Sequence, residues 1–272
     1  MTGFDGQAVL VTGASSGIGA ALAREFARRG ADLIVTARRA ERLAAVAADA
    51  ERTGRRALAL TADVTVDGDL ERVVVAARAA FGRLDVVVAN AGFGVVGPVE
   101  RLTLEDYRRQ FETNVFGVLR TVRASLDDLK RSRGRLVILG SVAGYVATPG
   151  SSPYAMSKFA VRGLAEALGH EVAAGGVTVT LVTPGLVDSE IRRVDNAGRL
   201  QSAAVEPVPG WLLVPTATAA RHIVNAVARR RREAVITGHG KIVVFFQRHA
   251  PWLVSRVVRR FGVRSRPEPS RA

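Results

Sequence analysis

The chain has 272 residues, 48% apolar and 24% charged, the balance of an ordinary globular domain. It lacks cysteine and has four histidines with no ligand spacing, which excludes disulfides and a cysteine nucleophile and argues against a catalytic metal. Its net charge of +14 is nearly all arginine, and half of it lies beyond residue 240, where Lys241, Arg248, Arg256, Arg259, Arg260, Arg264, Arg266 and Arg271 face Glu268 alone. No signal-peptide pattern opens the chain and no run of about 18 apolar residues interrupts it, so a cytoplasmic protein without a spanning helix is expected.

Apolar runs alternate with amphipathic segments. Residues 8–11 read as a buried strand, 20–29 as a helix, 32–36 as a strand and 41–53 as a helix. Strand 57–61, helix 67–81, strand 84–89 and one long helix over 103–125 follow. Strand 135–139, helix 152–173 and strand 178–182 complete the pattern. Strands of continuous Val, Ile and Leu separated by helices predict an α/β fold, a parallel sheet covered on both faces in one domain.

The first strand runs into Thr12-Gly13-Ala14-Ser15-Ser16-Gly17-Ile18-Gly19, and a helix follows. A strand, a glycine turn and a helix N-terminus receive a pyrophosphate, because glycine permits close backbone approach and the unpaired amides favour an anion. About 20 residues on, an acidic residue would bind a ribose 2′-hydroxyl and select NAD. Here the second strand ends in Ala37-Arg38-Arg39 instead, and arginine pairs with a 2′-phosphate, so NADP(H) is expected over NAD(H). Asp63-Val64 closes the third strand, where a carboxylate suits an adenine amino group.

Tyr154 and Lys158 lie four apart in a helical run, on one face and one turn from each other. A phenol with a pKa of about 10 is a poor acid or base at neutral pH, and a nearby cation lowers that value. Ser141 ends the fifth strand, and Asn114 interrupts a predicted helix for which asparagine is poorly suited.

Together these motifs resemble the short-chain dehydrogenase/reductase family over about residues 5–240. The glycine motif, Asn90-Ala91-Gly92, Thr113-Asn114 and Pro184-Gly185 stand in that family's order, with Ser189 where a threonine is usual. The resemblance implies a Rossmann-type doubly wound sheet and a catalytic tetrad of Asn114, Ser141, Tyr154 and Lys158. It implies cofactor contacts at Gly13, Ser15, Ser16, Gly17, Ile18, Gly19, Arg38, Arg39, Asp63, Val64, Asn90, Ala91, Gly92, Tyr154, Lys158, Pro184, Gly185, Val187 and Ser189. Tyr154 would serve as the acid or base, Lys158 would bind ribose hydroxyls and lower the Tyr154 pKa, and Ser141 would orient a carbonyl. Asn114 would hold a water connecting Lys158 to solvent.

Within the substrate loop, 186–215, residues 205–215 are rich in proline and large apolar side chains. Trp211, Leu212 and Leu213, with Phe93, Val95 and Val96, are expected to wall an apolar ketone, aldehyde or alcohol site. The other reading is a nucleotide-binding sensor or scaffold without turnover, and the intact tetrad favours the enzyme. The apolar circumference of 159–168 suggests a homodimer or homotetramer. Residues 241–272 form a basic extension with a tail from about 265 that reads as disordered. Within it Leu253, Val254, Val257, Val258 and Phe261 oppose Arg256, Arg259 and Arg260, which suits either peripheral contact with an anionic membrane or a terminal helix docked on the domain or on a second subunit, while no nucleic-acid module is recognisable.

Overall fold

The central strands, rich in Val, Leu and Ile, have no polar face to show to water, so they are buried between two layers of helices. The computed structural model describes residues 3–201, 205–206 and 208–261. Its strands are β1 (Ala8–Thr12), β2 (Asp32–Ala37), β3 (Ala57–Thr61), β4 (Val86–Ala89), β5 (Arg135–Leu139), β6 (Thr178–Thr183) and β7 (Glu233–Val235). They form one sheet in the order β3-β2-β1-β4-β5-β6-β7, and every neighbouring pair is parallel. Leu10 pairs with Ile34 on one side and Val87 on the other, which fixes the register at the centre. The fold is a single doubly wound, Rossmann-type domain.

The helices are α1 (Gly17–Arg28), α2 (Ala40–Glu51), α3 (Asp69–Phe81), α4 (Leu104–Phe111), α5 (Gly117–Ser132), α6 (Ser152–Glu171), α7 (Thr216–Ala228), α8 (Gly238–His249) and α9 (Pro251–Phe261). Alternate strand residues point to opposite faces, so two cores form. Val9 and Val11 meet Leu22 and Phe26 of α1, Leu43 of α2 and Ile223 of α7. Ala8 and Leu10 meet Val73 of α3, Val122 of α5 and Val161 of α6. Phe4 packs edge-on against Phe26 at 5.0 Å, and emptying the Phe26 site would cost about 3–5 kcal/mol.

The long helix expected over 103–125 is instead three pieces. A capping box of Thr103 and Asp106 starts α4, a π-helical turn spans Glu112–Phe116, and α5 continues to Ser132. Six strands are legible in the apolar pattern, but three-residue β7 follows an arginine run and is missed. Helix α8 runs through residue 240, where the basic extension was expected to begin. The tail from 265 lies outside the described residues.

Candidate active site

The chain winds outward through β1, β2 and β3, then resumes on the other side of β1 with β4. This reversal leaves a crevice at the carboxyl ends of the strands. The cleft there measures about 1340 Å³, more than the roughly 300–1,000 Å³ of a site for one small molecule. All the expected cofactor contacts line it, as do Ser141, Tyr154 and Lys158.

The glycine turn forms its floor. Gly13 has φ +65°, and a Cβ there would lie 2.8 Å from the Ala91 Cα, so only glycine lets the two loops meet. Asn90 Nδ2 donates to the carbonyls of Thr12 (2.9 Å) and Gly13 (3.2 Å), and the Asn90 N–H donates to Thr12 Oγ1 at 3.1 Å. Asn90 therefore acts first as a staple that shapes the glycine turn. Ser16 begins α1 without a side-chain cap, leaving the first-turn amides open to an anion.

At the adenosine end, Arg38 is 66% exposed, with Nη1 3.8 Å from Asp63 Oδ2. The other Asp63 oxygen accepts from the Thr65 N–H and hydroxyl at 2.9 and 2.8 Å. Arg39 is more heavily engaged, donating to Ser15 Oγ at 3.2 Å, Ser16 Oγ at 2.7 Å and Glu190 Oε2 at 3.2 Å. Open amides beside strand-end arginines make a donor set that fits a phosphorylated dinucleotide.

At the opposite end, Pro153 opens α6 and sets Tyr154 and Lys158 one turn apart. Ser141, just past the end of β5, accepts from the Ala143 N–H at 3.1 Å and shares the cleft wall with the Tyr154 hydroxyl. Lys158 is 7% exposed; its Nζ donates to the Leu139 carbonyl at 2.7 Å, and burial lowers its pKa to about 8. Burial raises the Tyr154 pKa, partly opposed by the Ser141 hydroxyl and the charge of Arg192. The expected lowering by Lys158 is not what the structure shows. The ammonium lies 5.7 Å from the phenol ring and is itself starved of water, so burial prevails.

Asn114 sits in the π turn behind the cleft wall, 1% exposed. Its Oδ1 accepts from the Phe93 N–H at 3.1 Å, and Nδ2 donates to Phe93 O and Ser157 Oγ at 3.0 and 3.2 Å. That side chain fixes the loop after Gly92 and aligns α6, with one lone pair of Oδ1 left over. The Pro184-Gly185 turn is held from α8, where His239 Nε2 accepts the Leu186 N–H at 2.8 Å. Burial lowers the His239 pKa and keeps that acceptor neutral. Val187 buries its side chain and gives its carbonyl to Arg192 at 2.9 Å, while Ser189 faces Gly17.

The substrate wall differs from expectation in part. Phe93, Val96 and Leu212 line the cleft, but Trp211 is 83% exposed at the loop surface and Val95 belongs to the core. Arg192 was not foreseen. It reaches the cleft from the Glu190–Arg193 turn and is clasped by Glu206 at 2.6 Å.

A family model described as short chain dehydrogenase matches residues 7–200. Over 262 residues the chain is 36% identical to 11-beta-hydroxysteroid dehydrogenase 1A of Arabidopsis thaliana, covering 92% of this chain and 73% of that protein. It is 34% identical to the 3-oxoacyl-(acyl-carrier-protein) reductase FabG of Escherichia coli, covering 83% and 89% respectively. Among solved structures, a Burkholderia phymatum short chain dehydrogenase/reductase in complex with NAD aligns with a TM-score of 0.80 at 25% identity, covering 99% of this chain and 100% of that one. A Thermococcus sibiricus alcohol dehydrogenase complexed with 5-hydroxy-NADP aligns with a TM-score of 0.74 at 28% identity, covering 84% and 94%. The chain belongs to the short-chain dehydrogenase/reductase family, and it is an oxidoreductase.

Proposed function

We propose that this enzyme uses NADP(H) to interconvert an apolar alcohol and its ketone or aldehyde. The observation that carries the chemistry is the placing of the Tyr154 and Ser141 hydroxyls on one cleft wall, one helical turn from a desolvated Lys158. A bound nicotinamide cofactor supplies or takes up the hydride. In reduction, the hydroxyls of Ser141 and Tyr154 hold the carbonyl oxygen. Tyr154, protonated at neutral pH as any phenol is, gives up its proton as negative charge builds on that oxygen. The Lys158 amine spends one N–H on Leu139 and offers the others to ribose hydroxyls. A sensor or scaffold that only binds nucleotide has no use for this arrangement.

Support for NADP comes from the end of β2, where Arg38 stands at the cleft rim and the strand itself ends in no carboxylate that would hold a ribose hydroxyl. Support for an apolar substrate comes from Phe93, Leu186, Ile191, Leu200 and Leu212 on the wall beyond Tyr154. The related proteins named for a hydroxysteroid and a 3-oxoacyl group accord with a carbon-rich carbonyl substrate. The test is a panel of apolar ketones and alcohols followed by nicotinamide absorbance with each cofactor. Turnover with NADPH on such ketones is expected, and turnover confined to NADH would overturn the cofactor assignment.

Two surfaces support proposals about partners. Phe116, Met156 and Phe159 are exposed around the start of α6, a face suited to a second copy of the chain. Ile242, Phe245 and Phe246 of α8 and Trp252 and Val257 of α9 are also exposed, beside Lys241, Arg256 and Arg259. No acidic residue occurs from 234 to 267. Apolar side chains among uncompensated cations favour an anionic lipid surface over a like-charged copy. Among the described residues no helix is long and apolar enough to cross a membrane, so such contact would be peripheral.

A further inference from the structure

Glu190 lies in the turn that follows Ser189, far from β2 in sequence, yet its carboxylate sits among the cations at the adenosine end of the cleft. Oε2 accepts from Arg39 Nη1 and Nη2, each at 3.2 Å. Arg42, from the first turn of α2, donates Nη1 to Oε1 at 2.7 Å and to Oε2 at 3.0 Å. The Ser16 hydroxyl accepts from Arg39 Nη2 at 2.7 Å beside this cluster, and the two arginines hold the Glu190 carboxyl below the usual carboxylate range despite its burial. Two guanidinium groups around one anion make the donor set that a phosphate monoester takes. The glycine turn supplies Ser16 and the end of β2 supplies Arg39, so this is the corner where a ribose 2′ substituent is expected.

We infer that Glu190 is a specificity-determining residue, a built-in counter-ion that engages the Arg39–Arg42 pair and that a 2′-phosphate must displace. NAD carries no group that competes for those cations and leaves the contact in place. Arg38, 3.8 Å from Asp63 and largely in solvent, is then the first cation to meet the phosphate, and Arg39 joins only after Glu190 swings out. Because Glu190 adjoins Ser189 and shares its turn with Arg192, this displacement also loosens the near end of the substrate loop. The inference rests on the reading that the adenosine half of the cofactor occupies this end of the cleft.

The test is calorimetric binding of NADP⁺ and NAD⁺ to the full-length wild type and to Glu190→Gln and Glu190→Ala. The Glu190 ion pairs are partly exposed and each contributes modestly, while the carboxylate also repels an incoming phosphate, so either variant should bind NADP⁺ about three- to tenfold more tightly. NAD⁺ affinity should stay within about twofold. Adenosine 2′,5′-bisphosphate should gain as NADP⁺ does, and 5′-AMP should not. An unchanged NADP⁺/NAD⁺ affinity ratio in both variants, or weaker NADP⁺ binding, would overturn the inference. The wild-type ratio separately tests cofactor preference. A wild type favouring NAD⁺ whose variants shift toward NADP⁺ would sink that preference and leave the role of Glu190 standing.

Discussion

Lys158 should be a measurable burden on the fold, and replacing it with methionine exposes that cost. Burial lowers its folded pKa from an ordinary 10.5 to about 8. Between those values the unfolded chain holds a proton that the folded chain has released, so stability rises with pH across this window. The contribution is complete above the unfolded pKa and is lost as pH falls through the folded one. Below about pH 8 a constant penalty of roughly 3 kcal/mol remains, at about 1.4 kcal/mol per pH unit. Methionine fills similar space and carries no proton. Losing the bond to the Leu139 carbonyl costs the variant about 1–3 kcal/mol, but equally at every pH. The informative quantity is therefore the change in the stability difference with pH. Urea unfolding of wild type and Lys158→Met, without cofactor, should show the wild type gaining about 2 kcal/mol relative to the variant between pH 7.5 and 9.5. A difference that stays constant across that range would refute the assignment of Lys158 as a desolvated amine.

Tyr154→Phe removes the proton donor and should lower turnover about 10²–10⁴-fold while calorimetric cofactor affinity stays nearly unchanged; wild-type turnover would contradict the assignment. Arg38→Asp should weaken NADP⁺ strongly and spare or improve NAD⁺ in a fluorescence titration, because it replaces a phosphate partner with a repelling charge. The full-length protein should co-sediment with anionic vesicles at low salt and release at high salt, and the pair Arg256→Glu and Arg259→Glu should abolish this at about 1 kcal/mol per basic residue. Equal binding to neutral vesicles, or none at all, would remove the lipid-surface reading.

What the sequence makes legible is what neighbouring residues encode. The glycine turn can be read because strand, turn and helix are consecutive, and Tyr154 with Lys158 because helical spacing places both on one face. The central strands are legible because burial on both faces demands apolar runs, and edge strand β3 because Ala and Leu alternate in it, whereas β7 at the other edge needs only Ala234 inside. Harder to read are features made by segments far apart in sequence. Asn114 marks the point where the helix widens, but only the fold shows its amide committed to Phe93 and Ser157. Trp211 stands beside Leu212 in a loop without periodicity, so nothing local tells which of the two faces the cleft. The pairing of Glu190 with Arg39 and Arg42 joins residues about 150 positions apart. It also changes the meaning of the strand-end arginines. As sequence, Arg38 is the phosphate partner and Arg39 its helper; in the fold, the first stands near the rim and the second is already matched by a carboxylate. The chemistry of this end of the cleft is therefore a competition between anions, set by a residue that the cofactor motif does not contain.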